Sequence, residues 1–182
     1  ILSNVLLVAK GCRLIFTTTD LDVGITGSVE ASINKEGATT LPAKRLVSIV
    51  RELPSSEVEV TVDSKNYATI KSGPSTFKII GLSDSEFPPL PNFEGAKTFK
   101  IPQVELKNGL KKTSFAISTD ETRYVLNGIF FSLKDHKIAL VATDGRRLAM
   151  VDADLEFPAS HETDVIIPTK AVQELQRLLG DA

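Results

Sequence analysis

Polar and apolar residues alternate along most of this chain in short runs typical of half-buried β-strands. The first such region is residues 4–33, where turn residues break the alternation into two or three strands. Further alternation predicts strands near residues 57–63, 66–72, 75–82, 97–101, 122–133, 137–144, 147–152 and 163–167. Apolar residues spaced three and four apart predict helices at residues 43–53, 103–113 and 169–179. The pattern therefore predicts an α+β fold.

Each predicted helix follows the same phrase, an extended run that ends in an aliphatic residue and a proline. The prolines are Pro42, Pro102 and Pro168, which lie 60 and then 66 residues apart. Proline suits the start of a helix because its φ is already close to the helical value. Recurrence at this spacing indicates that one supersecondary unit has been duplicated.

Residues 83–97 separate two halves of the pattern, because three prolines and a glycine there favour neither helix nor sheet. We therefore predict two domains, residues 1–96 and 97–182. An offset of about 125 residues places Thr143-Asp144 on Thr19-Asp20. At this offset the first domain lacks an opening strand and helix, and the second lacks its closing strands. We expect the sequence to be an internal fragment of a longer protein.

Each helix has one apolar side, which we expect to face a core, and one basic side. The predicted inward residues are Leu46, Val47, Ile49, Val50 and Leu53 on the first helix, Leu106 and Leu110 on the second, and Ala171, Val172, Leu175, Leu178 and Leu179 on the third. The outward basic residues are Lys44 and Arg51, then Lys107 and Lys111, then Lys170 and Arg177.

Positive charge is concentrated in these helices although the whole chain is acidic. The helices contain eight lysines and arginines and three acidic residues, whereas the net charge of the chain is −2. A basic face on an acidic protein suits contact with a polyanion. Repeated lysine and arginine neutralise phosphates without reading base edges, and the chain has no tryptophan to stack on bases. We predict salt-sensitive binding that is independent of nucleic-acid sequence.

Composition narrows the other classes of function. The balance of 42% hydrophobic and 24% charged residues is that of an ordinary soluble protein, and no apolar run reaches the ~20 residues of a membrane span. Cys12 is the single cysteine, which fits a reducing compartment. His136 and His161 alone support a zinc site poorly. We expect a cytoplasmic protein with no cofactor, metal or membrane partner.

Four stretches of the sequence resemble one family, the bacterial sliding clamps, which are the β subunits of DNA polymerase III. The stretches are Leu41-Pro42-Ala43-Lys44-Arg45-Leu46-Val47-Ser48-Ile49-Val50-Arg51-Glu52-Leu53-Pro54, Ser85-Glu86-Phe87-Pro88, Arg123-Tyr124-Val125-Leu126-Asn127-Gly128 and Val141-Ala142-Thr143-Asp144-Gly145-Arg146-Arg147-Leu148-Ala149. The resemblance implies a DNA-clamp fold of repeated strand–helix–strands units. Antiparallel sheets would lie outside and helices would line the inner face of a ring, closed as a head-to-tail homodimer.

The resemblance also implies a non-catalytic processivity factor that encircles duplex DNA and tethers the polymerase. Its DNA-facing residues would be Lys44, Arg51, Lys107, Lys111, Lys170 and Arg177 on the helices, with Arg123 and Tyr124 on a protruding loop. In that loop Val125 stands where some relatives have a second tyrosine.

A second implied site is an apolar crevice for the tail of a short peptide. Its partners would be the polymerase III catalytic subunit, the clamp loader, other polymerases and repair proteins. The half of the crevice within this sequence would be Leu126, Thr143, Gly145, Arg146, Arg147 and Leu148, with Arg146 where relatives often have histidine. Phe77 and Ile79 would lie on the strand edge that pairs with the neighbouring subunit. From the residues alone, Thr143-Asp144-Gly145 favours a hairpin turn, and Phe77 and Ile79 favour core packing.

Two other functions remain open on the sequence alone. A hydrolase could draw metal-binding or acid–base carboxylates from Asp20, Asp22, Asp144, Asp152 and Asp154, although no pair stands in a catalytic motif. A peptide-binding adaptor unconnected to DNA would have no need of the basic helix faces.

Overall fold

The computed structural model describes residues 2–54, 57–91, 95–120 and 122–180. The chain divides into two compact units, Ile1–Asn92 and Phe93–Ala182, which we call the first and second unit. Both units are built from antiparallel strands with helices packed against them. Within the described ranges, no helix is both long enough and apolar enough to span a membrane.

The first unit contains a four-stranded sheet and a three-stranded sheet. Strands β1 (Asn4–Lys10), β2 (Arg13–Thr19), β3 (Gly24–Glu30) and β4 (Gly37–Pro42) form the larger sheet in the order β3-β2-β1-β4. Helix α1 (Ala43–Arg51) follows, and β5 (Glu59–Val62), β6 (Tyr67–Ser72) and β7 (Ser75–Ile80) form the smaller sheet. The core draws on all three parts, since Leu41, Leu46 and Ile70 are buried in one cluster.

The second unit contains two helices and one four-stranded sheet in its described residues. Helix α2 (Gln103–Thr113) precedes β8 (Gly128–Lys134), β9 (Lys137–Thr143), β10 (Leu148–Asp154) and β11 (Thr163–Pro168), and α3 (Thr169–Leu178) ends the unit. The sheet order is β10-β9-β8-β11, and α2 packs on β9, β10 and α3. Leu110, Ile129 and Val172 are buried where these elements meet.

The two four-stranded sheets are copies of one arrangement, as the repeated phrase predicts. In each sheet three consecutive strands form a meander and the fourth returns to pair with the first. Pro42 lies opposite Asn4 at the end of β4, and Pro168 lies opposite Gly128 at the end of β11. Both prolines then cap a helix, with φ of −57° and −60°. The predicted duplication is therefore present in both topology and register.

The predicted strand at residues 97–101 is wrong. Residues 96–102 have no regular secondary structure, and side chains fix them instead. The ring of Phe99 packs edge-on against Phe157 and His161, with ring centroids 5.8 and 5.7 Å apart, and Ile101 packs against the core. Helix α2 thus has the proline of the repeated phrase without the strand.

The strand predicted at residues 122–133 starts only at Gly128. Before it, the Asp120 carboxylate accepts hydrogen bonds from the backbone N–H and the hydroxyl of Thr122, at 3.1 and 2.6 Å. The chain then makes a 3-10 turn at Tyr124–Leu126. These local hydrogen bonds use the groups that a strand would have offered to a neighbour.

The apolar faces of α1 and α3 are narrower than the sequence predicts. Leu46, Ile49 and Leu53 contact the first core, whereas Val47 and Val50 are exposed. On α3, Leu178 is 62% exposed. A helix packed on a sheet buries only the residues that face the sheet, which are spaced three and four apart along the chain. Val47, Val50 and Leu178 lie at the side of this buried face.

Asn127 and Gly128 fasten the start of α3 to β8. The Thr169 hydroxyl lies 3.1 Å from the backbone oxygen and 2.9 Å from the side-chain oxygen of Asn127, and donates to them. Gly128 lies so close to β11 that a Cβ there would be 2.4 Å from the Ile167 carbonyl oxygen. This part of the motif therefore has a structural role.

Candidate functional site

The basic residues predicted on the helices keep their solvent-side positions. Lys44, Arg51, Lys111, Lys170 and Arg177 are exposed, and Lys107 is half-buried. On α1 the line from Lys44 to Arg51 passes through Ser48. On α3 the matching line passes through Glu174, whose Oε1 lies 3.4 Å from Arg177 Nη1. The face of α1 is therefore the more basic of the two.

Helix electrostatics separate these residues into two groups. Arg51, Lys111 and Arg177 lie in the last turns of their helices, where a cation is stabilised by the partial negative charge of the carbonyl end, by about 0.3–1 kcal/mol. Lys44 and Lys170 lie in the first turn, where the same dipole disfavours a cation. The helix dipole therefore does not account for the recurrence of lysine at these two positions.

The predicted DNA loop adjoins the predicted peptide crevice. Tyr124 is 80% exposed, and Arg123 Nε lies 3.4 Å from Asp120 Oδ2. Arg123 Nη1 would lie 3.4 Å from a Cβ built on Gly145. The structure therefore brings Arg123 beside the turn that carries Thr143, Gly145, Arg146, Arg147 and Leu148.

Hydrogen bonds hold this turn, between β9 and β10, in one conformation. The Thr143 hydroxyl donates to the Arg147 carbonyl at 2.6 Å and accepts from the Gly145 N–H at 3.1 Å. Asp144 Oδ1 accepts from the N–H groups of Arg146 and Arg147, at 2.9 and 2.7 Å. Gly145 has φ of 86°, which glycine adopts without strain. The turn favoured by the sequence is therefore present.

The same contacts keep Asp144 ionised and hold the guanidinium of Arg147 in place. Hydrogen bonds from the backbone N–H groups of Arg147 and Arg146, and then from the Arg147 guanidinium, lower the pKa of Asp144 to about 2. Asp144 Oδ2 lies 3.0 Å from both Nε and Nη2 of Arg147. The same guanidinium lies 6.0 Å from the centre of the Phe115 ring. The Arg147 side chain is therefore held in position by these contacts, and both Arg146 and Arg147 are exposed to solvent.

Partly or fully exposed apolar side chains lie on this sheet and in the turns beside it. Leu148 is 67% exposed, and Leu126 is half-buried. The sequence did not reveal the exposed ring of Phe115, nor the cross-strand row formed by Ile166, Phe130, Val141 and Met150 on the sheet face opposite the core. The sequence did contain a sign of this row. The first four residues of β10, Leu148 to Val151, are all apolar, so both faces of the strand are apolar at its start.

The aspartates of the hydrolase alternative include the two that form matching turns. Asp20 Oδ1 accepts from the N–H groups of Asp22 and Val23, at 3.1 and 2.9 Å, as Asp144 does in the second unit. Asp152 lies 3.7 Å from the Lys137 ammonium. In the part of the chain that the structure describes, no three histidine, cysteine or acidic residues could hold a metal ion together. The carboxylates of Asp20, Asp144 and Asp152 thus have structural partners, and the described aspartates do not converge on a metal site.

Phe77 and Ile79 point into the first unit. Ile79 is 1% exposed within the core and Phe77 packs against it. Their strand, β7, is one of the two outer strands of the described three-stranded sheet. Core packing is therefore observed for both side chains, while the open edge of β7 is a separate feature of its backbone.

Comparison with known proteins agrees with this architecture along the whole sequence. Residues 1–91 match the family described as DNA polymerase III beta subunit, N-terminal domain, and residues 100–182 match the central domain of the same subunit. The beta sliding clamps of Chlamydia muridarum and Pseudomonas aeruginosa are each 37% identical, over 181 and 183 residues. Both alignments cover 100% of this chain and 50% of the relative, so the chain spans about half the length of these curated relatives.

Solved structures give the same result. The DNA polymerase sliding clamp of Bacillus subtilis matches with a TM-score of 0.95 at 34% identity, over 99% of this chain and 50% of that chain. A Pseudomonas aeruginosa DnaN sliding clamp bound to griselimycin matches with a TM-score of 0.90 at 36% identity, over 99% and 49%. The duplicated sheets and helices are thus the fold of a DNA clamp. The chain belongs to the DNA polymerase III beta subunit family, the family of the beta sliding clamps.

Proposed function

We propose that this chain is part of a sliding clamp that encircles duplex DNA and keeps the replicative polymerase attached to it. In this proposal residues 1–96 belong to the first clamp domain and residues 97–182 to the second. The observation that carries the proposal is the recurrence of exposed lysines, Lys44 and Lys170, at the second residue after the proline of equivalent helices. A polyanion such as duplex DNA would contact such a repeated basic face.

Weak contacts suit a protein that must move along DNA. Exposed lysines and arginines attract phosphates through screened interactions that are individually small. Neighbouring phosphates are equivalent, so a shift along the duplex exchanges one set of contacts for another of equal energy. Six further residues would add to this DNA-contacting surface: Arg51, Lys107, Lys111, Arg123, Tyr124 and Arg177. The proposed function requires neither a catalytic group nor a cofactor.

We further propose that the turn between β9 and β10 forms half of a crevice for partner peptides. Leu148 and Leu126 would contact an apolar side chain, and Arg146 and Arg147 would attract acidic residues at the rim. The fixed conformation of the turn supports this role, since a preorganised site has less entropy to lose on binding. The partners would be the polymerase III catalytic subunit, the clamp loader, and other polymerases and repair proteins.

The proposed ring would close through a second copy of the protein in a head-to-tail arrangement. The backbone edge of β7 could add a strand from the partner subunit. Phe77 and Ile79 would support this pairing from the core side, by holding β7 in place.

The test of DNA encirclement reverses four basic residues together in the full-length clamp. Lys44, Arg51, Lys170 and Arg177 are changed to glutamate, and the labelled clamp is loaded on nicked circular DNA at ~0.15 M salt. We expect its residence time to fall roughly tenfold or more, because four phosphate contacts become repulsive. Single reversals should change residence little.

A matched control carries the same change in charge on the sheets and loops of the first unit, at Lys10, Lys35, Lys65 and Lys71, which are also exposed and lie outside β7. Its residence should stay close to that of the unmodified clamp. Unchanged residence in the helix variant, or equal loss in both variants, would refute a DNA role for these helix faces.

A further inference from the structure

The chain that leaves β7 folds back over the first four-stranded sheet. We call residues 82–91 the connector. Leu82 exchanges two backbone hydrogen bonds with Thr40, both of 3.0 Å, and Phe87 is buried further along. The connector starts beside β4 at one edge of this sheet, and near its end it reaches the opposite edge, which is formed by β3.

Leu90 is the connector residue that meets β3. Its Cδ2 and Cδ1 atoms would lie 3.1 and 3.9 Å from a Cβ built on Gly24, the first residue of that strand. Leu90 is 37% exposed, so most of its surface is covered. The missing side chain at Gly24 thus leaves a notch on the sheet edge, and a leucine from elsewhere in the chain fills it.

The second unit shows that this notch is particular to the first. Gly24 lies opposite Thr19 across the turn, and Leu148 lies opposite Thr143 across the matching turn. Thr19 and Thr143 accept equivalent hydrogen bonds from the N–H groups of Leu21 and Gly145, at 3.0 and 3.1 Å. At this equivalent position the second unit has Leu148, whereas the first unit has Gly24, and the side chain of Leu90 from the connector lies against it.

We propose that the notch at Gly24 is a binding site for a leucine flanked by prolines, and that the connector is its internal ligand. Pro88, Pro89 and Pro91 stiffen the connector in an extended form, which lowers the entropy cost of placing Leu90. A partner segment of the same chemistry can take the notch when the connector leaves it. The proposal does not depend on DNA encirclement, so either can fail alone.

Occupation by the connector explains why the site is closed in the unmodified chain. A segment that a short link keeps near its site acts at an effective concentration in the millimolar range. A free peptide that gains only from burying one leucine is expected to have a Kd well above about 1 mM, so it cannot displace the connector at ordinary concentrations. Removal of the Leu90 side chain should open the notch.

The experiment titrates the 182-residue chain, labelled with 15N, with a synthetic peptide that copies residues 83–91, and follows amide chemical shifts. In the Leu90→Ser variant we expect shifts at residues 19–24 that grow with peptide concentration, with a Kd above about 1 mM. The unmodified chain should show smaller shifts at each peptide concentration, because the connector competes for the notch. A peptide with serine in place of its leucine should leave these amides unchanged.

Two variants serve as controls. Leu90→Ser combined with Gly24→Leu fills the notch from within and should abolish the shifts. Leu178→Ser, the same substitution at an exposed leucine of the second unit, should respond as the unmodified chain does. If Leu90→Ser perturbs amides throughout the first unit, Leu90→Ala takes its place. No shifts at residues 19–24 in the opened variant, or equal shifts when Gly24→Leu is present, overturn the proposal.

Discussion

Asp144 illustrates how one residue sets both the shape and the charge of a surface. Its two carboxylate oxygens accept hydrogen bonds from two backbone N–H groups and from the Arg147 guanidinium. The folded-state pKa of about 2 lies below the ordinary value of 3.8. The resulting stabilisation is complete above the ordinary value and is lost as the pH falls through about 2. Asp144 is therefore charged throughout the neutral range and keeps Arg147 in position.

The causes of this pKa can be separated by changing Arg147 to alanine. The backbone N–H groups of Arg147 and Arg146 are the largest causes of the shift, and they remain in Arg147→Ala. We expect the pKa of Asp144 to stay below 3.8 in the variant, although above its value in the unmodified chain. A carboxyl-carbon NMR titration measures it. A return to the ordinary value would show that the guanidinium, and not the turn, lowers the pKa.

At this scale the sequence predicted the turn at Thr143-Asp144-Gly145 but not its contacts. An Asp-Gly pair between apolar runs is a local signal, so it is visible in the sequence. The contact of Arg123 with Gly145 and the position of Phe115 beneath Arg147 join residues far apart in the chain. They depend on how α2 and the loop after it pack on the sheet.

At the scale of secondary-structure elements, the helices hold the core through few residues. Leu110 on α2 is 0% exposed, and Leu178 on α3 is mostly exposed, although the sequence predicts both to face inward. Periodicity gives the direction of a helix face but not its width. The width depends on how closely the helix approaches its sheet, and only the folded chain defines that.

The two leucines make a matched test of this difference. Leu110→Ala should lower the free energy of unfolding of the second unit by about 2–5 kcal/mol, because it removes apolar contacts and leaves a cavity. Leu178→Ala should change it by less than about 0.5 kcal/mol. Native-state hydrogen exchange of second-unit amides measures both, and it does not require two-state unfolding. Similar losses in the two variants would contradict the observed burial.

Helices were predicted more closely than strands, for a physical reason. Pro42, Pro102 and Pro168 mark the helix starts chemically, and the structure begins each helix at the next residue. A strand is defined by pairing, which alternation cannot show. Residues 97–101 alternate as a strand does, but Phe99 and Ile101 bury their side chains without pairing in the described structure.

At the scale of the whole molecule, charge is divided between the elements. The helices carry more basic than acidic residues although the whole chain is acidic, and phosphates, rather than bases, are the natural partners of such lysines and arginines. The family resemblance added the ring, the peptide partners and the loop contact, none of which charge alone could predict. The Leu90–Gly24 contact was not predicted, because it joins two segments that look unremarkable in sequence.

The proposed clamp should therefore not distinguish DNA sequences. On circular DNAs of high and low G·C content, the residence time of the full-length clamp should agree within about twofold. It should shorten on both as salt rises from ~50 to ~200 mM, because counterions compete for the phosphates. Single-molecule counting of labelled clamps measures both effects. A strong preference for one base composition would point to base contacts and contradict the proposal.

The close approach of Gly128 to β11 also bears on evolution. A Cβ at this position would overlap a backbone oxygen, which cannot move aside as a flexible side chain can. Alanine or any larger residue would have to displace this backbone, so we expect glycine to be retained at position 128 in related sequences.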